Sequence, residues 1–372
     1  VVDQFGELIA HKDFLYIIPP RKPRGGPDGA APEPRPGEKE GVRRHAEDRR
    51  EFQEILGEHK VDLIVVSADC HEAKRLKKAL SEFANLKIAQ DQIQENGDEE
   101  NQNMMNEDET NSKEAFVIWG RPEIPKLFAT SHYSQKLLKN HPFVLKKAIC
   151  SARFQQDPLN EILNLWSPIM SENQALHLNL HPLQKHINQA RLVEHLEQIN
   201  TQHVNRVGID INLLVDHEHW HNQLQFLSGL GPRKAQRYIQ KLKSLGKPLY
   251  TRNEIYENKI LRKNCFVSSL GFTKVRVPPE KRPDDMQTNI LDQTRIHLRN
   301  YDHVYKLVTD CLFENQPDVE QYKQQQAVNE IIKNPEKLKE FAMGEYKDQI
   351  KAVDKAGIGF IFDQIIDDLM HP

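Results

Sequence analysis

Leu224-Gln225-Phe226-Leu227-Ser228-Gly229-Leu230-Gly231-Pro232-Arg233-Lys234-Ala235-Gln236-Arg237-Tyr238-Ile239 has the layout of a helix, a tight Gly-x-Gly turn and a second helix. Two glycines let the backbone turn sharply and approach a phosphate with no Cβ in the way, so a side chain placed at Gly231 is expected to strain the turn and bar the ligand. The helix that Pro232 opens presents unpaired N–H groups and the positive end of its dipole. Arg233, Lys234 and Arg237 add charge at that end, while Ala235 and Ile239 are expected to face inward. The stretch reads as a helix-hairpin-helix module in which Gly229, Gly231, Arg233, Lys234 and Arg237 grip backbone phosphate without reading base sequence. Modules of this shape also serve as plain joints between packed helices, so both readings stay open.

Working outward, Asn264-Cys265-Phe266-Val267-Ser268-Ser269-Leu270-Gly271-Phe272 suggests a second hairpin with one glycine and no basic cluster like that after Gly231, which reads as structural. His217-Glu218-His219-Trp220-His221 invites a metal reading, but alternating positions diverge on a helix or a strand, so the histidines are expected to form a polar surface before Leu224.

Beyond Pro142 strand signals almost vanish, and helices are predicted over Phe143–Phe154, Pro158–Trp166, Pro182–Ile187 and Arg191–Thr201. After a proline-rich linker from Pro278 to Asp285, a last helical unit from Val319 to Met370 carries Val328, Ile331 and Ile332, then Leu338, Phe341, Phe360, Phe362, Ile365, Ile366 and Leu369. The first part of the chain differs. Residues 1 to 18 read as a β-hairpin with a second β-rich run from Phe14 to Ile18. An amphipathic helix follows from Val42 to His59, then a buried strand from Val61 to Val66, a helix from Ala73 to Phe83 and a strand from Phe116 to Trp119. The Pro/Gly-rich tract 19–41 and the Asn/Asp/Glu-rich tract 94–113 read as disordered insertions. Residues 1 to roughly 142 are therefore an α/β unit.

Bulk properties bound the answer. The chain of 372 residues suggests two to four units, and its 38% hydrophobic and 28% charged residues fit folded domains with long solvated loops. Lys and Arg total 51 against 54 for Asp and Glu, so nucleic-acid contact has to come from local basic clusters. Cys70, Cys150, Cys265 and Cys311 lie far apart, which fits a reducing compartment and argues against a disulfide framework or a zinc ribbon. No apolar run reaches the length of a membrane span. Val1 in a strand pattern is expected to follow upstream residues of a longer protein.

Gly229-Leu230-Gly231-Pro232-Arg233-Lys234-Ala235, preceded by Val204-Asn205-Arg206-Val207-Gly208-Ile209-Asp210-Ile211-Asn212 and followed by Ile290-Leu291-Asp292-Gln293-Thr294-Arg295-Ile296-His297, resembles the suppressor-of-Ty-six family. Ala152-Arg153-Phe154-Gln155-Gln156-Asp157-Pro158-Leu159-Asn160-Glu161 and His181-Pro182-Leu183-Gln184 resemble its further landmarks, in the expected order. Bacterial Tex proteins share the plan, but Gly-Leu-Gly-Pro-Arg-Lys is closer to the eukaryotic branch. Two departures stand out: Ser268-Ser269-Leu270-Gly271-Phe272 replaces the usual Asn-Cys-Ala-Gly-Phe, and Leu298-Arg299 follows His297 in place of Pro-Glu.

The resemblance implies an α/β plus all-α multidomain chain. Residues 1–142 would be a YqgF-type, RNase-H-like domain whose first strand lies upstream, 143–200 a helical connector, 201–315 a paired helix-hairpin-helix domain and 316–372 a death-like helical domain. It further implies a nuclear scaffold of a transcription elongation factor and histone chaperone, with no enzymatic activity, cofactor or metal. Its partners would be the RNA polymerase II elongation complex, DNA or RNA backbone, and histones and nucleosomes, the last mainly through segments outside this chain.

An RNase-H-like fold also raises a metal-dependent nuclease or resolvase-like enzyme, which needs clustered carboxylates. Asp3 reads as a turn residue, and Asp69 and Glu72 as helix-start residues, so no acidic triad assembles. A pure protein-interaction core without nucleic-acid contact is the third reading.

Overall fold

The computed structural model describes residues 1–19, 36–83, 115–167, 172–277, 289–313, 321–340, 344 and 358–370. They are mostly helical, with three small two-stranded sheets, and divide into two compact units, Val1–Leu165 and Trp166–Pro372. The tract 94–113, most of 19–41, the linker from Pro278 to Asp285, and Phe341 lie outside the described residues, as does the side chain of Phe360.

The first unit opens with a tight turn. The Asp3 carboxylate accepts from the Phe5 and Glu7 amides at 2.9 and 2.7 Å, Gly6 takes φ +87, and Val2 bridges Leu8. The expected hairpin over residues 1–18 is therefore confined to the first ten, and Phe14–Ile18 is not a strand. Helix α1 (Pro36–Glu58) claims that backbone: Asp48 accepts the Tyr16 amide at 2.7 Å and His45 bonds its carbonyl. The start of α1 corrects the expected insertion too, since residues 36–41 are helical, with Glu40–Arg44 and Arg43–Glu47 at the i,i+4 spacing that supports a solvated helix.

Strand β1 (Leu63–Ser67) pairs in parallel with β2 (Phe116–Gly120), and between them α2 covers residues 73–83. Val66, Ala73, Ala79, Leu80 and Phe83 form the core between sheet and helix, joined by Ile17 and Phe52. After α3 (Glu123–Thr130) and α4 (His132–Leu137), helix α5 (Phe143–Gln156) packs on the sheet and on α3. Its C-terminal end fixes the opening turn: buried Arg153 donates to the Gly6 carbonyl at 2.6 Å and Gln156 to the Asp3 carbonyl at 2.7 Å. Asp157 then caps α6 (Pro158–Leu163), which begins with proline at its first position and carries the buried Glu161.

In the second unit, β3 (Trp166–Ser167) and β4 (Glu172–Asn173) precede short 3-10 turns over Gln174–His177 and Pro182–His186. Helix α7 (Gln189–Val207) stops at Gly208, with φ +77, and leads into β5 (Ile209–Asp210) and α8 (Ile211–Asp216), whose cap is Asp210. A nine-residue 3-10 segment, Glu218–Phe226, precedes α9 (Pro232–Leu245), α10 (Glu254–Glu257) and α11 (Lys263–Ser269). Strand β6 (Thr273–Lys274) returns to pair with β5. Helices α12 (Tyr301–Phe313), α13 (Gln321–Lys333), α14 (Glu336–Glu340) and α15 (Ile358–Met370) share a core of Val304, Leu307, Val308, Val328, Ile331, Leu338, Phe362, Ile365 and Leu369.

Candidate nucleic-acid interface

Helix α9 is amphipathic in the sense its sequence requires. Ala235, Tyr238 and Leu242 are buried at i, i+3 and i+7, Ile239 is half-buried, and Arg233, Lys234 and Arg237 are exposed. Gly231 stands at its N-cap position and its carbonyl accepts the Ala235 amide at 2.8 Å. No side chain among the described residues caps this end and no acid lies in the first turn, so its leading N–H groups remain open beside the cations.

The two glycines do different work from that expected. Gly229 has φ +86, and a Cβ on it would lie 2.7 Å from the Ser268 Cβ and 3.3 Å from the Cys265 carbonyl oxygen, so it needs glycine both for conformation and for contact with α11. Gly231 is extended, with φ −172, and nothing lies within 4 Å of a Cβ built there. The expected strain at Gly231 is thus corrected to Gly229, while the space beside Gly231 is open to a ligand. Asn205 of α7 braces the turn, its Oδ1 accepting the Ser228 amide at 3.1 Å and its Nδ2 donating to Ser228 Oγ at 2.7 Å. Lys234 Nζ donates to the Gly229 carbonyl at 3.1 Å, which holds its charge over the turn.

The element ahead of the turn is a 3-10 segment in place of an α-helix, and its histidines are not the polar surface expected. His219 is 2% exposed. His219, Gln223, Leu224, Phe226 and Leu227 are the buried positions, and the His219 ring lies 6.2 Å from that of Trp220. His221 bonds the Leu214 carbonyl at 2.9 Å.

The second hairpin lies earlier than its glycine suggested. Gly271 belongs to a 3-10 turn leading from α11 into β6, whereas the turn between α10 and α11 runs through Lys259, with φ +52. Lys241 of α9 stabilises that turn by donating to the carbonyls of Lys259 and Ile260, the latter at 3.2 Å. Exposed Arg262 and Lys263 follow it. The signal for them was the repeated Arg-Lys pair at a helix start, present without the glycine used to find the first.

The residues ahead of α10 are tied to α12 by buried polar groups. Arg252, 0% exposed, donates through Nη1 to the Ile296 carbonyl and to Tyr301 Oη at 3.2 Å, and its amide reaches Asp292 at 3.3 Å. Tyr301 donates to Asp292 at 2.6 Å. Burial raises the Asp292 carboxyl and lowers the Arg252 guanidinium, each opposed by its partners. His297 uses both ring nitrogens: Nδ1 accepts the Arg299 amide at 3.1 Å, which leaves Nε2 to donate to the Val267 carbonyl at 3.2 Å. Burial holds it below the usual imidazole range, as a neutral ring in two such bonds requires.

In the first unit Asp69 lies between Lys126, at 2.7 Å, and Lys147. Burial pushes its carboxyl up, but hydrogen bonds to the two lysines outweigh this and hold it below the ordinary value. Glu72 pairs with Arg75 at 3.6 Å, and Asp3 serves its own turn.

A family model described as a helix-hairpin-helix motif matches residues 173–276. The Drosophila melanogaster protein named transcription elongation factor SPT6 is 32% identical over 227 residues, 60% of this chain and 12% of its own. The Candida albicans protein of that name is 30% identical over 65% of this chain, and the Caenorhabditis elegans suppressor of Ty 6 homolog 27% identical over 82%. The chain spans between 12% and 18% of the length of these three relatives. Landmark residues spread over both units, a matched hairpin module and such similarity across most of the chain lead to one assignment: the chain belongs to the suppressor-of-Ty-six family.

Proposed function

We propose that the chain is core scaffold of a transcription elongation factor and histone chaperone, acting in the nucleus on the RNA polymerase II elongation complex. In this reading the first hairpin grips DNA or RNA backbone and other surfaces hold proteins, with histones engaged mainly by segments outside the chain. The observation that carries it is the uncapped start of α9, with Arg233, Lys234 and Arg237 exposed around open N–H groups beside Gly231. We further read residues 1–142 as the YqgF-type, RNase-H-like domain, 143–200 as connector, 201–315 as the paired hairpin domain and 316–372 as the death-like domain. The parallel pair β1–β2 between helices supports the first of these, while the core shared by α12 to α15 joins the end of the third to the last.

The chain is read as a scaffold and not an enzyme, because Asp69 is spent on two lysines and no cluster of acids that could hold a metal ion forms among the described residues. A pure protein-interaction core is the second reading, favoured by the bond from Lys234 to the Gly229 carbonyl, which gives that lysine a structural use. Fluorescence anisotropy with labelled duplex at several salt concentrations decides between them. Lys234→Glu should weaken binding to all sequences alike and lower the salt slope by roughly 1. If it and Arg233→Glu bind as wild type does at every salt concentration, the turn is a packing joint.

A further inference from the structure

The strand that leaves the second hairpin carries charge that its packing does not use. Thr273, Val275 and Val277 are buried, whereas Lys274 is half-buried and Arg276 exposed. This period of two, in β6 and the residues that follow it, puts both cations on one face, about 6.6 Å apart if the segment stays extended. Gly208 lets the end of α7 close against them: a Cβ there would lie 3.1 Å from Lys274 Cε and 3.2 Å from Arg295 Cγ. Arg295 is thereby the third cation of the group, donating to the Arg206 carbonyl and pairing with Asp368.

The acids facing the group are committed. Asp368 holds Arg295, and Asp210 accepts the Asn212 and Leu213 amides as the cap of α8. Neither the Lys274 nor the Arg276 side chain forms a hydrogen bond or an ion pair within 4 Å among the described residues, although Asp210 and Asp368 are near enough to favour the charged Lys274 and Asp210 also feels Arg276 and accepts its amide. Burial first, then the nearby Arg276 and Arg295, push the Lys274 amine down to about 8. The group also adjoins the first turn. Asn205, next to Arg206 in the chain, holds Ser228, and Ser268, against Gly229, lines a cavity of about 230 Å³ together with Arg295 and His297.

We propose that Lys274, Arg276 and Arg295 form a second backbone-phosphate contact, joined through the end of α7 to the first turn, so that nucleic acid is held at two points. The two-point grip rests on the reading of the first turn as a phosphate site; the second contact is tested independently of it. A phosphodiester backbone is favoured over an acidic peptide because the patch adjoins a helix start with open N–H groups, a phosphate-recognising feature.

The test uses the full 372-residue chain and a fluorescein-labelled duplex of about 20 base pairs, titrated between about 50 and about 200 mM salt. Lys274→Gln with Arg276→Gln should lower the log–log salt slope by roughly 2, at roughly 0.9 per contact. Arg276→Gln alone, at an exposed position that cannot disturb the core, should lower it by roughly 1. An unchanged slope in both, with a lower slope in Lys234→Glu, overturns the second contact and leaves the first standing. A lower slope in both but not in Lys234→Glu keeps the second contact and removes the first. Displacement of the duplex by poly-glutamate as effectively as by unlabelled DNA of equal charge assigns the patch to acidic protein and overturns the phosphodiester assignment.

Discussion

Gly229 and Ser268 approach so closely that a Cβ on the glycine would stand 2.7 Å from that of the serine, which joins the first hairpin turn to the second hairpin helix. The turn's shape therefore depends on a tertiary contact as well as on its own sequence.

Gly229→Ala should destabilise the protein, because it adds left-handed strain of about 1–2 kcal/mol and an overpacking cost of about 1–3 kcal/mol. Gly231→Ala, at an extended residue in open space, should change stability by less than about 1 kcal/mol. Urea melts of the two variants check the contrast, and equal losses would refute the assignment of the strained position to Gly229.

Arg252, Asp292 and Tyr301 should behave as one unit. Asp292→Ala leaves two buried donors, the Tyr301 hydroxyl and the Arg252 amide, without their acceptor and removes the charge that opposes the buried guanidinium, and should cost about 2–5 kcal/mol, whereas Tyr301→Phe, which removes one hydroxyl, should cost about 1–2 kcal/mol. Arg252→Met combined with Asp292→Leu should recover much of the larger loss. Denaturant midpoints test this ordering; an Asp292→Ala variant as stable as Tyr301→Phe would show that the carboxylate does not compensate the guanidinium.

Much of this arrangement was legible where local chemistry decides it. Ala235 of α9 faces inward as expected, with Tyr238 and Leu242 completing the buried face beside a half-buried Ile239, and the α6 start follows from Asp157-Pro158. Other parts depend on distant partners. Over nine residues a repeat of 3.0 is hard to tell from 3.6, so the 3-10 coil of Glu218–Phe226 and the burial of His219 were hidden. Phe14–Ile18 has strand composition, but side chains of α1 take its backbone. Lys259 adopts a conformation usually left to glycine, with Lys241 holding the adjoining carbonyls. Nothing beside Arg252 in the sequence announces a buried guanidinium, since Asp292 and Tyr301 come from elements far along the chain.

Asp210 combines a cap with a buried charge. Burial raises its carboxyl to about 6, against the hydrogen bonds from Asn212 and Leu213 that lower it. Asp210→Asn keeps the cap and removes the charge, so above pH 6 it should equal or exceed the wild type, while Asp210→Ala removes both and should be about 1–2 kcal/mol less stable than Asp210→Asn at every pH. Thermal melts at pH 5 and pH 8 separate the two; a neutral-pH loss in Asp210→Asn as large as in Asp210→Ala would mean that the negative charge itself is required.

Glu161 offers the clearest pH dependence. Its side chain is wholly buried, and burial raises the carboxyl to about 7 even though Arg153, Cys150 and Asn164 favour the charged form. A carboxyl raised on folding binds its proton more tightly in the native state, so its contribution is full below about pH 4.5 and is lost as pH rises through about 7. Glu161→Gln removes that titration while keeping a side chain of the same shape. The stability of the variant relative to wild type should therefore grow between pH 5 and pH 8, by up to roughly 3 kcal/mol. Because Arg153 also holds the Gly6 carbonyl, the same rise in pH should loosen the opening turn in wild type and not in the variant, which hydrogen exchange at the Glu7 and Ile9 amides would detect. Wild type gaining on the variant as pH rises would reverse the sign, and would mean that attraction to the Arg153 charge outweighs the cost of burying the carboxylate.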